Sequence, residues 1–114
     1  MTSREEKKLL VDIIDSVNAI DDHLENKRIL EEYLSNKTKR RAVEREIEII
    51  GEAINKLLKI NPEIAISYAR TIVNLRNKVI HAYDSVDDIL IWKIIIKDLP
   101  ILLEEVTKLL HENN

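Results

Sequence analysis

The segment Arg76-Asn77-Lys78-Val79-Ile80-His81-Ala82-Tyr83 gathers a guanidinium, a carboxamide, an imidazole and a phenol in one short stretch. Arginine presents a rigid, permanently charged fork that matches a phosphate. Histidine titrates near neutral pH and can give or take a proton. An asparagine can orient an imidazole or a phosphate oxygen. Cleavage of RNA asks for little more, because the 2′-hydroxyl is itself the nucleophile. A metal-free catalyst then needs a base, an acid and charge stabilisation on the phosphorane. On a regular helix Asn77 and His81 share one face, and Arg76 and Tyr83 share another. Arg76 and His81 diverge by roughly 140°. They converge if the helix ends or loosens near His81, which Asp84 and Ser85 permit, or if a dimer brings one copy's arginine to the other's histidine. Spacing alone suits a blander role as well, in which Arg76 and His81 cap carbonyls and pair with acids.

Long helices must position this segment. Ser3 can cap a first helix, with Glu6 as its capping-box partner. Leu10, Ile13, Val17, Ile20 and Leu24 then form one apolar stripe, widened by Leu9 and Ile14. From Asp22 to Lys37 the pattern weakens, and Ile29, Leu30, Tyr33 and Leu34 suit one or two turns covering the bundle end. His23 reads as a surface or capping residue. A second long helix spans about Thr38 to Lys59 on Val43, Ile47, Ile50, Ile54 and Leu57. Gly51 lies inside it and costs about 1 kcal/mol against alanine. Close approach of another helix, with Ala53 assisting, is the expected compensation. Asn61-Pro62 ends that helix. Pro62 suits the first position of a third helix, with Glu63 in its first turn. Ser85 can cap a fourth helix with Asp88 completing a box, and Asp87 complements the dipole. Residues 89–96 are apolar nearly all round, so this helix must be buried on two sides. A subunit interface is the simplest second side. Pro100 kinks or splits the helix, and His111 lies in a polar tail.

The chain has 114 residues, 45% of them hydrophobic, with one Gly, two Pro and no Cys. That predicts an all-α protein, an up-and-down bundle of four main helices with a short fifth allowed, in a single domain spanning residues 1–114. Without cysteine, disulfides and thiolate metal sites are excluded. The acidic pairs around Asp12, Asp15, Asp21 and Asp22 read as a solvated face, so no metal and no cofactor are expected. The N-terminus is charged, and the longest apolar run is too short for a bilayer. A soluble cytoplasmic protein is the expectation. The net charge of −3 speaks against a dedicated nucleic-acid binder but allows brief contact with RNA. Lys37, Lys39, Arg40, Arg41 and Arg45 form a local basic cluster, either a solvated helix start or a surface for phosphates.

The residues also resemble a known family. Arg76, His81 and Tyr83 follow the spacing of the HepT-type toxins, within the HEPN class of small helical domains. The second-helix stretch Arg45 to Ala53, ending Ile-Gly-Glu-Ala, resembles that family's block. So do the break at Asn61-Pro62-Glu63, Asn77 after the arginine, and the final helix from Asp87 through Trp92 to Pro100. The resemblance implies a helical-bundle homodimer whose two motifs face each other in a cleft. It implies a metal-independent endoribonuclease, the toxin of a two-gene system, acting on RNA. An MNT-type nucleotidyltransferase antitoxin would neutralise it by transferring AMP to a tyrosine. Carried over by position, Arg76 and His81 are the catalytic pair, Asn77 supports them, and Tyr83 is the AMP acceptor. A non-catalytic module of the same fold, binding nucleotide or the nucleotidyltransferase, is the alternative. A bare helical oligomerisation domain is the third reading. Gly51 fits helix packing, and Glu52 either pairs with a basic motif residue or is solvated.

Overall fold

The computed structural model describes residues 3–81 and 87–112, apart from the side chains of Ile80 and His81. In order, the elements are α1 (Arg4–His23), α2 (Leu30–Ser35), α3 (Lys37–Ile60), α4 (Ala69–His81), α5 (Asp88–Lys93), a π-helical turn (Ile94–Asp98) and α6 (Leu99–Glu112). The described residues hold no strand. The expected all-α architecture is the one observed.

Helix α1 starts as its sequence directs: the Ser3 hydroxyl accepts from the Glu6 N–H at 3.1 Å. Its stripe buries Leu10, Ile13, Val17 and Ile20, mainly against the stripe of Val43, Ile47, Ile50, Ile54 and Leu57 on α3. Such interlocking apolar stripes drive the packing, since fully burying each branched aliphatic side chain is worth about 1.5–3 kcal/mol. His23 joins Glu46 of α3 at 3.0 Å and ties the C-terminal end of α1 to α3.

The chain leaves α1 through two left-handed residues, Glu25 at φ 57° and Asn26 at φ 58°. Asparagine tolerates this conformation and glutamate does not. Both ion pairs of Glu25, to Lys27 at 4.0 Å and Lys39 at 3.9 Å, are long. We expect Glu25→Gly to stabilise the fold by about 0.5–1 kcal/mol. A urea midpoint that rises at constant slope is the check.

Helix α2 lays Tyr33 into the core, 1% exposed, with its ring 5.3 Å from that of Trp92. The Tyr33 hydroxyl is buried without a hydrogen-bond partner among the described residues. Burial, reinforced by the charges of Asp88 and Glu44, pushes the Tyr33 phenol well above its ordinary range. Burial likewise raises Glu44, against the opposing pull of Arg41. A carboxyl raised on folding favours its neutral form, so its contribution to stability is present at low pH and lost as pH rises through the folded value. Glu44→Gln is therefore expected to raise the melting midpoint at pH 7. The gain should vanish below the ordinary carboxylate range, which melts at pH 3.5 and pH 7 would show.

Two boundaries differ from the sequence expectation. No helix starts at Pro62, and residues 61–68 form turns instead. The Asn61 side chain accepts from the Glu63 N–H, and the Ile64 N–H bonds back to the Asn61 carbonyl. This local turn competes with helix initiation. Helix α4 starts at Ala69, just after Ser67, whose N–H and hydroxyl both donate to Glu105 of α6, the hydroxyl at 2.7 Å. The second difference is the cap of α5. The Asp87 carboxylate accepts from the Ile89 and Leu90 N–H groups and is itself the N-cap, while Ser85 lies outside the described residues.

Pro100 disturbs its helix in the turn before it. Over Ile94–Asp98 the helix widens, and the Leu99 N–H reaches back five residues to the Ile94 carbonyl. The ring of a proline crowds the preceding turn and supplies no donor there, which the wider π turn relieves. Ile91, Ile94, Ile95, Leu99 and Leu102 are buried along this continuous span. Ile89, Leu90 and Ile96 remain exposed, Ile89 by half, so the second apolar side is open in the single chain. Among the described residues, no helix is long and apolar enough to cross a membrane.

Candidate functional site

Helix α4 is pressed onto α3 by Ile72, Val73, Leu75 and Val79, all buried. This packing puts Arg76 at the α3–α4 contact, directly over Gly51. An added Cβ at Gly51 would stand 2.3 Å from the Arg76 Cβ and 2.6 Å from its Cγ. The glycine thus answers a specific demand: the stem of Arg76 lies in the space a side chain would fill. The expected close helix approach is present, and its object is the motif arginine.

The next residue of α3 holds the head group. Arg76 Nη2 donates to Glu52 Oε2 at 2.6 Å, and Nη1 donates to the side-chain oxygen Oδ1 of Asn77 at 2.9 Å. The first is a short, charge-assisted bond of the stronger kind. Arg76 Nε is buried with no hydrogen-bond partner among the described residues. The side chain is 23% exposed, so the fork reaches solvent while its stem is fixed. With its carbonyl taken by Arg76, Asn77 has its NH2 group to offer an anion. Of the two alternatives for Glu52, pairing with a basic motif residue is the one realised.

The structure therefore joins Arg76 and Asn77 and adds Gly51 and Glu52 to them. His81 lies five residues beyond Arg76 on the same helix. Its side chain, and Tyr83 altogether, lie outside the described residues.

Beside Arg76, between α1 and α3, is an open pocket of about 330 Å³. Leu9, Ile49 and Ala53 give it an apolar floor, and Arg45, Lys56 and Arg76 bring cations to it. Asp12, Glu48 and Glu52 supply carboxylates. Sequence reasoning did not single out this pocket. Its signal was present, since Arg45, Glu48, Glu52 and Lys56 recur at three- and four-residue intervals along one face of α3. The basic cluster at the start of α3 is largely matched by acids. Lys39 pairs with Glu25, Arg40 with Asp88, Arg41 with Glu44 and Arg45 with Glu48. Such pairing fits a solvated helix start better than a phosphate-binding surface.

An all-α fold whose fourth helix seats an arginine over a glycine, five residues ahead of a histidine, defines a helical domain of the HEPN class. Residues 13–109 match the family model described as ribonuclease HepT-like, and the chain belongs to that family. It is 38% identical over 112 residues to a protein of Methanocaldococcus jannaschii provisionally named as an RNase, covering 93% of this chain and 97% of that one. It is 34% identical over 110 residues to a protein of Thermococcus cleftensis named a probable ribonuclease HepT, covering 93% and 96%. No solved structure matches the chain.

Proposed function

We propose that this chain is a metal-independent endoribonuclease acting as the toxin of a two-gene system. Arg76 and His81 are its catalytic pair, with Asn77 in support. The observation that carries this reading is the seat of Arg76. A glycine makes room for its stem, a carboxylate fixes its head, and the helix that presents it also carries His81. Preorganised cations of this kind stabilise charge as it develops on a phosphorane. His81 takes the 2′-hydroxyl proton while the oxygen attacks phosphorus. The bond to the 5′-oxygen breaks, that oxygen takes up a proton, and the products are a 2′,3′-cyclic phosphate and a 5′-hydroxyl. Arg76 and Asn77 bind the non-bridging oxygens.

A homodimer completes the site in this proposal, two copies bringing their motifs together across a cleft. The exposed Ile89, Leu90 and Ile96 support it, because a second copy is the simplest cover for an apolar helix face. Tyr83 is the switch: an MNT-type nucleotidyltransferase antitoxin transfers AMP to its hydroxyl, adding negative charge and bulk beside the arginine. We expect purified protein to cleave RNA in the presence of EDTA and His81→Ala to lose that cleavage. Cleavage that persists unchanged in the variant would remove His81 from the mechanism. After co-expression with the nucleotidyltransferase, intact mass should gain AMP units that Tyr83→Phe does not.

One observation favours a second reading, a non-catalytic module that binds nucleotide or the nucleotidyltransferase. The chain is net acidic, which weakens any hold on long RNA. Nucleotide binding without RNA cleavage, in protein carrying unmodified Tyr83, would select it.

A further inference from the structure

The α1–α3 pocket has features that phosphate chemistry alone does not use. Its volume of about 330 Å³ suits one nucleoside and is too small for a folded RNA element. The side chains of Leu9, Ile49 and Ala53 offer apolar contact of the kind a base face takes. Arg76 and Lys56 bring cations to the pocket, and Asp12 and Glu48 bring carboxylates that would repel a phosphate. A purely anionic ligand would leave those carboxylates without a purpose. A ligand that carries both a phosphate and hydrogen-bond donors uses both kinds of group.

We propose that this pocket is a guanine subsite, holding the base of the nucleotide next to the phosphate that Arg76 binds. The proposal rests on the ribonuclease reading above. An ionised carboxylate only accepts hydrogen bonds. Guanine alone of the four RNA bases presents two adjacent donors on one edge, its ring N1–H and its amino group, which match the two oxygens of a carboxylate. Uracil has one ring N–H between two carbonyls, and adenine and cytosine set a ring acceptor beside their amino groups. Among the described residues, Glu48 pairs with exposed Arg45 at 3.6 Å and Asp12 with exposed Lys8 at 3.0 Å. Pairs this exposed are weak and leave the carboxylates able to turn to a base. Glu52 is committed to Arg76 and orients its guanidinium.

The test uses the full chain with its motif intact. Calorimetric titration with each of the four nucleoside 5′-monophosphates should give GMP binding about tenfold tighter than UMP. Glu48→Gln or Asp12→Asn should bring the two within about twofold. In oligonucleotides with a single guanosine, cleavage should concentrate beside it and spread in the same variants. Equal binding of all four nucleotides, or a GMP preference that survives both substitutions, overturns the subsite. GMP selectivity lost in the variants, without RNA cleavage by the unmodified chain, upholds the subsite and overturns the ribonuclease reading. RNA cleavage with no guanosine preference does the reverse.

Discussion

Gly51→Ala is expected to lower the thermal midpoint by on the order of 5–10 °C and to weaken RNA cleavage with it. Two effects oppose each other at this position. Alanine in a helix interior is favoured over glycine by about 1 kcal/mol. Against that stands a Cβ placed 2.3 Å from the Arg76 Cβ. A Cβ is fixed to its backbone, so no rotamer of Arg76 relieves the clash. Helices α3 and α4 must part by roughly 1 Å to restore ordinary van der Waals contact. Overpacking of this kind costs about 1–3 kcal/mol, and more where backbone must move, so the clash outweighs the propensity gain. The same displacement draws Arg76 away from Glu52, and a misplacement of about 1 Å can cost on the order of 100-fold in rate. The origin of the loss is separable. Arg76→Ala keeps the offending Cβ, so Gly51→Ala should remain destabilising in that background. Arg76→Gly removes the Cβ, so the swap Gly51→Ala/Arg76→Gly should be more stable than the two single effects predict. Equal destabilisation by Gly51→Ala in all three backgrounds would place the cost elsewhere than at this contact.

This contact marks the limit of what the sequence disclosed. The stripes of α1 and α3 were legible because burial imposes a helical period that twenty residues sample several times. Gly51 was legible as a close approach, but not what approached it. Arg76 lies on the next long helix, beyond the turns that follow α3, and spacing measures distance only within one helix. The role of Glu52 stayed open for the same reason, its partner being 24 residues away. At α4 the rule for proline in a first turn pointed to Pro62, and a local turn built on the Asn61 side chain prevailed. At α5 several cap candidates lay close together, and composition does not rank Ser85 against Asp87. Pro100 announced an irregular helix without saying that it would take the form of a π turn. In the basic cluster, the pairs Arg41–Glu44 and Arg45–Glu48 could be read from their spacing, whereas Lys39–Glu25 and Arg40–Asp88 join distant parts of the chain.

Arg76→Lys is expected to lower RNA cleavage by about 100- to 1000-fold with little change in stability. Charge is retained, so the loss would measure geometry. The guanidinium divides its work: Nη2 holds Glu52 and Nη1 holds the side-chain oxygen of Asn77. An ammonium is a single point that cannot span both partners and still present a fork to phosphate. Glu52→Gln tests the same arrangement from the other side. It keeps an acceptor but removes the charge, and cleavage should fall about tenfold in kcat with KM nearly unchanged. Stability should move by less than about 1 kcal/mol, because glutamine keeps an acceptor for the Arg76 N–H. The double variant decides whether Arg76 and Glu52 act as one unit. In that case Arg76→Lys/Glu52→Gln loses no more than Arg76→Lys alone, since a carboxylate that positions a guanidinium has nothing to position once it is gone. If the two losses instead multiply, Glu52 acts on the reaction by a route that does not pass through Arg76.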